Sequence, residues 1–256
     1  MKQRVISGAI IAIITILAVL LGGFFFKALA LFIAVWGSYE FCSTRNRELN
    51  YLELILMIVF VILTNLFFDR TLGFILALTV LLIALAVFDE RITFADAAVS
   101  LIESIVLALG IHYMIEIEFL SKLMFGYIVI IAYLTDVFAL FTGMKFGKHK
   151  LNERVSPKKT IEGAIGGWLF GCIISLIYAS ICNFFYMDVT FIIICSIVLP
   201  IVSQIGDLAF SLIKRFYGIK DFSKLIPGHG GLLDRLDSML FVLLIYGALA
   251  IIVGIY

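Results

Sequence analysis

The sequence predicts an all-α, polytopic membrane protein with about nine membrane-crossing helices. Three observations predict it. Hydrophobic residues make up 63% of the 256-residue chain and charged residues only 14%, where a soluble domain is about a quarter charged. The charges gather in short connectors between apolar runs of about 20 residues, the length that crosses a bilayer as helix. Lysine and arginine also fall mostly on alternate connectors, as the positive-inside rule requires.

The runs are Val5–Leu21, Phe24–Cys42, Leu52–Phe68, Leu72–Phe88, Phe94–Tyr113, Leu123–Met144, Ile161–Phe185, Val189–Ile213 and Leu236–Tyr256. Only Gly22-Gly23 separates the first two, and Asp96 and Glu103 weaken the fifth. Met1-Lys2-Gln3-Arg4 opens a retained helix: the apolar stretch is long for a signal peptide and no small-residue cleavage site follows. With the N-terminus in the cytoplasm, nine spans put sixteen of the nineteen Lys and Arg inside and leave Lys27, Arg70 and Lys122 outside. An error in the number of spans before residue 145 would move both long basic loops outside and strand Lys2/Arg4 and Arg45/Arg47 on the wrong side.

No long polar linker or internal repeat divides the chain. Residues 1–120 therefore read as N-terminal helices and 121–256 as C-terminal helices with the site, in one continuous membrane domain. A net charge of +1 singles out no partner, and nucleic acid is not expected. Cys42, Cys172, Cys182 and Cys195 show no CxxC or Cys/His spacing and read as small hydrophobes.

Two inside connectors, Lys145–Thr160 and Lys214–Arg235, are much longer than the rest, and function is sought there and in the helix ends that frame them. The stretch Ser211 to Asp237 combines three chemistries. Asp234 and Asp237 share a helix face. Asp207 lies two turns before Lys214, at a depth where an acid is expensive and marks a functional or paired site. A hard cation such as Mg²⁺ takes carboxylate oxygens together with substrate phosphates; the plainer reading of Asp234 and Asp237 is favourable placement at a helix N-terminus. Asp207, Ser211 and Lys214 form one helical stripe, continued by Arg215, Lys220, Lys224 and Arg235; such cations suit phosphate, or anionic lipid headgroups. Pro227-Gly228-His229-Gly230-Gly231 allows a backbone anion nest leading into a helix N-terminus, and His229 can donate to phosphate or move a proton.

The other loop carries Ser156-Pro157-Lys158-Lys159-Thr160 before a helix. Helix capping explains Thr160, and phosphate binding competes with it once the two lysines are counted. Asp136 is a further acid, in the sixth span. A metal ligand, a nucleotide contact and a lysine partner all stay open for it. An ion carrier would also use intramembrane acids, but here the polar residues gather at one face.

The pattern Ser211-x2-Lys214-Arg215-x4-Lys220-Asp221-x-Ser223-x2-Leu225-x-Pro227-x-His229-Gly230-Gly231-x2-Asp234-Arg235-x-Asp237 resembles the signature of the phosphatidate cytidylyltransferases, or CDP-diacylglycerol synthases. The Ser-Pro-Lys-Lys-Thr loop and Gln204-Ile-Gly-Asp207 resemble the same family. The first 120 residues add only hydropathy. The resemblance implies that CTP and phosphatidate, a membrane lipid, give CDP-diacylglycerol and pyrophosphate. It implies dependence on Mg²⁺ with room for a second cation, a homodimer, and a bacterial inner membrane with the site on the cytoplasmic side. On this reading Asp207, Asp234 and Asp237 are metal ligands and act in catalysis with Lys214 and His229. Ser156, Lys158, Lys159, Thr160, Ser211, Arg215, Lys220, Asp221, Lys224, Gly230, Gly231 and Arg235 bind substrate, Asp221 by fixing a lysine rather than touching metal.

Overall fold

The computed structural model describes residues 13–45, 48–184, 188–226 and 230–254. His229, a candidate phosphate contact, lies outside the described residues. The chain is a helical membrane protein: α1 (described over 13–21), α2 (Gly23–Ser43), α3 (Tyr51–Leu66), α4 (Thr71–Phe88), α5 (Phe94–Leu120), α6 (Lys122–Phe146), α7 (Ile161–Ile181), α8 (Val189–Phe216) and α9 (Leu233–Val253). Among the described residues, seven helices are long and apolar enough to cross a membrane. The 16-residue α3 is shorter, about 24 Å of helix.

Local chemistry sets the helix boundaries. Gly22 and Gly23 both have positive φ, which breaks α1 from α2 where a side chain would be strained. Asn50, Ser121 and Thr160 cap α3, α6 and α7 by accepting from the N–H groups of Glu53, Met124 and Gly163. Asp188 accepts from Thr190 and Phe191 at the start of α8. Thr93 and Asp96 form a reciprocal capping box at the start of α5: Asp96 N–H donates to Thr93 Oγ1 (3.1 Å) and Thr93 N–H to Asp96 Oδ2 (3.0 Å). Asp96, which weakens the apolar run, is what begins the helix.

The loop between α6 and α7 departs from an all-helical chain. It holds an antiparallel hairpin, β1 (Lys150–Asn152) and β2 (Ser156–Thr160), pairing Lys150 with Thr160 and Asn152 with Ser156. Val155 N–H donates to the Asn152 side chain at the turn.

The chain divides into two compact units, Met1–Phe119 with Tyr217–Asp234, and Leu120–Phe216 with Arg235–Tyr256. The loop after α8 thus packs with the N-terminal helices, where sequence order alone assigns it to the C-terminal half.

In the first unit a charged cluster is enclosed among apolar helices. Arg45 (4% exposed) pairs with Glu53 (1%) and reaches Asp96 and Glu103, each at 3.8 Å. Ser100 Oγ donates to Glu53 (2.5 Å) and Tyr217 OH to Asp96 (3.0 Å). Burial opposes the charge on Arg45, yet Glu53 and Glu103 hold its guanidinium above the ordinary arginine value. Glu103, which looked out of place in a membrane span, is one of these partners.

In the second unit α6 and α7 meet along Gly163, Gly167 and Gly171, one stripe of α7. A Cβ at Gly167 would stand 2.7 Å from Ala139 Cβ and from the Thr135 carbonyl; one at Gly171 would stand 2.5 Å from Thr135 Oγ1. Small residues let membrane helices approach this closely, so van der Waals contact replaces the hydrophobic effect that lipid cannot supply.

Candidate active site

A cavity of about 580 Å³ lies within the second unit. Asp136 and Gly143 of α6, Lys150 of β1, Lys158, Lys159 and Thr160 of β2, and Gln204 and Asp207 of α8 line it. The hairpin therefore carries the lysines to the cavity. Lys150 Nζ donates to the Pro157 carbonyl (2.7 Å), and Arg215 Nε to the Val155 carbonyl (3.4 Å), tying the hairpin to the end of α8. Lys159 Nζ and Asp207 Oδ2 form an ion pair at 2.5 Å. Ser211 Oγ donates to Asp207 Oδ1 at 3.3 Å, as their one-turn spacing implies. Thr160 serves both as helix cap and as cavity wall.

Two further carboxylates stand near Asp207. Asp237 experiences the charges of Asp207, Lys214 and Asp136, and Asp136 those of Asp207 and Lys159. Asp136 Oδ2 accepts from Ser238 Oγ (2.7 Å), and the Arg235 carbonyl accepts from Tyr133 OH (3.0 Å), which holds α9 to α6. Gly206 explains the approach of α9 to α8: a Cβ there would stand 2.9 Å from the Asp237 carbonyl and 2.8 Å from Phe241 Cβ. Lys214 is buried among these acids. Three like charges in one region need cations nearby, and the protein supplies Lys159 and Lys214.

The signature loop in the first unit is organised differently. Asp234 Oδ2 accepts from the N–H groups of Phe222 (2.9 Å) and Gly231 (2.8 Å). Gly230 has φ +88° and exchanges two backbone hydrogen bonds with Ile226. Glu40 of α2 accepts from the N–H groups of Leu232 and Leu233, each at 2.9 Å. The donors around Gly231 thus point to the protein's own carboxylates. Lys220, Asp221 and Lys224 are exposed in this unit, as are Arg215 and Arg235 in the other. Ser156 sits half-buried on β2 and is not part of the cavity wall.

Lys150 and Glu40 are not singled out by the sequence, Gln204 enters there only as part of Gln204-Ile-Gly-Asp207, and the role of Asp136 stays open. Gln204 carried a signal in being one turn before Asp207; its Nε2 donates to the Ala164 carbonyl (3.1 Å). Glu40 carried the same signal as Asp207, an acid inside an apolar run. Lys150 carried none, because only the hairpin register brings it beside Thr160.

A family model described as the cytidylyltransferase family matches residues 2–253. The chain belongs to the cytidylyltransferase family. A protein of Bacillus subtilis named phosphatidate cytidylyltransferase is 29% identical over 95% of both chains. A protein of the same name from Staphylococcus saprophyticus is 36% identical over 68% of this chain and 67% of its own. One from Staphylococcus epidermidis is 38% identical over 60% of this chain and 59% of its own.

The donor set of this cytidylyltransferase suits a hard divalent cation. Asp136, Asp207 and Asp237 offer oxygen alone. Among the described residues no three His, Cys, Asp or Glu side chains form a ready cage, and Mg²⁺ needs none, since it takes one or two carboxylates and completes its shell with water and phosphate.

Proposed function

We propose that the chain is a CTP:phosphatidate cytidylyltransferase that makes CDP-diacylglycerol and pyrophosphate at the cytoplasmic face of a bacterial membrane. The observation that carries the proposal is the Lys159–Asp207 pair in a cavity lined by three lysines and two acids. Together with the family membership, this polar cavity in a membrane-embedded helical unit suits a nucleotide triphosphate meeting a lipid phosphate.

A phosphate oxygen of phosphatidate attacks the α-phosphorus of CTP. The bond from that phosphorus to the bridging oxygen breaks, and pyrophosphate leaves with the electron pair. Such a transfer asks the protein mainly for positioning and charge neutralisation. Lys150, Lys158 and Lys159 receive the triphosphate. As its charge arrives, the Lys159 ammonium exchanges Asp207 for phosphate, and the Asp207 carboxylate is released. Asp207 and Asp237 would hold the divalent cation; when bound it neutralises the phosphates and acts as a Lewis acid on the reacting centre. Lys214 balances the acids between turnovers. Beside the cavity, and sharing Leu151, Ala164 and Gln204 with it, lies an apolar groove of about 360 Å³ formed by Ile161, Ile165, Trp168, Ile201, Ile205 and Leu208. It suits an acyl chain of the lipid.

The test is incubation of purified chain in detergent or nanodiscs with cytidine-labelled CTP, phosphatidate and Mg²⁺. Labelled lipid and pyrophosphate should appear in equal amounts and require all three additions. Label transfer without phosphatidate, or none with it, refutes the proposal.

A further inference from the structure

We infer that Glu40, in the second helix, is a positioning residue for this reaction, clamping the signature loop and the first turn of α9. The inference rests on the reading that the loop and the acids of α9 serve cytidylyl transfer.

Glu40 is fully buried near the end of α2. Four donors converge on its carboxylate. Oε1 accepts from Trp36 Nε1 (3.1 Å), Ser223 Oγ (2.6 Å) and Leu232 N–H (2.9 Å), and Oε2 accepts from Leu233 N–H (2.9 Å). Among the described residues no Lys, Arg or His forms an ion pair with it. Its charge is compensated by these N–H and O–H groups and by the positive end of α9, which is what a buried carboxylate requires. Two of the donors are N–H groups at the start of α9 that the helix itself leaves unpaired. Glu40 thus caps α9 from more than 190 positions away in sequence.

The clamp also explains Gly231. A Cβ there would stand 2.7 Å from Glu40 Oε2 and 2.8 Å from Oε1, so the glycine makes room for the carboxylate. Phe41, the next residue, packs edge-on against Phe222 of the same loop (centroids 5.4 Å apart). Asp234 closes the loop from inside through Phe222 and Gly231. Asp234 sits in the first turn of α9, so the carboxylate that fixes Leu232 and Leu233 sets the rotation and height at which that turn presents Asp234. Misplacement of a catalytic constellation by about 1 Å costs on the order of 100-fold.

The experiment compares Glu40→Ala, Glu40→Gln and Asp234→Asn with wild type in nanodiscs. It measures kcat and both KM values per folded molecule, with hydrogen exchange at the Leu232 and Leu233 amides. Glu40→Ala should lower kcat about 100-fold, leave the KM for phosphatidate within about twofold, and expose both amides to exchange. Glu40→Gln keeps an acceptor for Ser223 and Leu232 but not for Leu233. It should fold, recover most of that loss to within about tenfold of wild type, and expose the Leu233 amide alone. Asp234→Asn should be inactive. Wild-type kcat in Glu40→Gln with unchanged exchange, or in folded Glu40→Ala while Asp234→Asn is dead, overturns the inference. Full activity in Asp234→Asn overturns the reading of the loop beneath it and the inference with it. A loss confined to the folded fraction, with normal kcat per folded molecule, makes Glu40 a stability residue and also overturns it.

Discussion

The two units bury charge in opposite ways. In the first, three carboxylates are held by donors of the protein's own: Glu53 by Arg45 and Ser100, Asp96 by Thr93 and Tyr217, Glu40 by four converging donors. In the second, Asp207 has one lysine and one serine and opens on a cavity. A charge already satisfied gains nothing from a substrate and serves to hold shape. A charge paired with a single movable lysine can exchange that partner for a phosphate. The comparison separates acids that position from acids that react, though both kinds look alike as charges in apolar runs.

The contrast is broken most severely at Arg45. Arg45→Met removes the cation that Glu53 and Glu103 share in this buried cluster and should cost about 3–5 kcal/mol, read as a loss of monodisperse protein and a lower unfolding midpoint in detergent. If Arg45→Met unfolds like wild type, the cluster does not hold the first unit. In the second unit, Lys159→Ala should do the reverse. Activity should fall about 100-fold, chiefly through the KM for CTP, while stability changes by under about 1 kcal/mol, far less than in Arg45→Met. A large drop in stability with little change in KM would make Lys159 structural.

Gly231→Ala sharpens the comparison. The new methyl meets the Glu40 carboxylate at 2.7 Å and should cost about 1–3 kcal/mol. Combined with Glu40→Ala the cost should shrink, a coupling measurable as a double-mutant cycle. Strict additivity would mean that the two residues do not meet as described.

The smallest effect is expected at the half-buried Asp89. Side-chain and backbone hydrogen bonds from Arg91 hold its carboxyl down to about 2, with Asn50 adding another. Its folded value is depressed, so its contribution is fully present above the ordinary carboxylate range near 4 and is lost as pH falls through about 2. At pH 7, Asp89→Asn should leave turnover unchanged and move the unfolding midpoint least of these variants. NMR titration of the carboxyl with a midpoint near 4 would refute the pairing.

The helices were legible because span length and hydropathy are properties of consecutive residues; eight of the nine runs begin within three residues of a described helix. The polar stripe of α8 was legible for the same reason, Asp207 and Ser211 being one turn apart. Charges that compensate each other across helices left no local trace. Glu103 reads as a flaw in α5 until Arg45, 58 positions earlier, is beside it. Glu40 is inconspicuous in an apolar run, since three of its four donors are Ser223, Leu232 and Leu233, far along the chain. The glycine turn suggested a phosphate nest from composition alone. Whether its N–H groups face a ligand or the protein depends on what packs against it: Gly230 N–H donates to the Ile226 carbonyl, Gly231 N–H to Asp234, and the next two N–H groups to Glu40. The hairpin was hidden by its exposed strands, which carry no alternating apolar pattern for period-two reading.

The division between positioning and reacting acids is tested most directly at Asp207. Pyrophosphate release from CTP and phosphatidate is measured for wild type and Asp207→Asn across a Mg²⁺ titration, alongside the unfolding midpoint of each. Asp207→Asn should keep its midpoint and lose turnover by at least about 100-fold at every Mg²⁺ concentration. Near-normal turnover with the wild-type Mg²⁺ dependence would contradict the assignment of Asp207 to the chemistry.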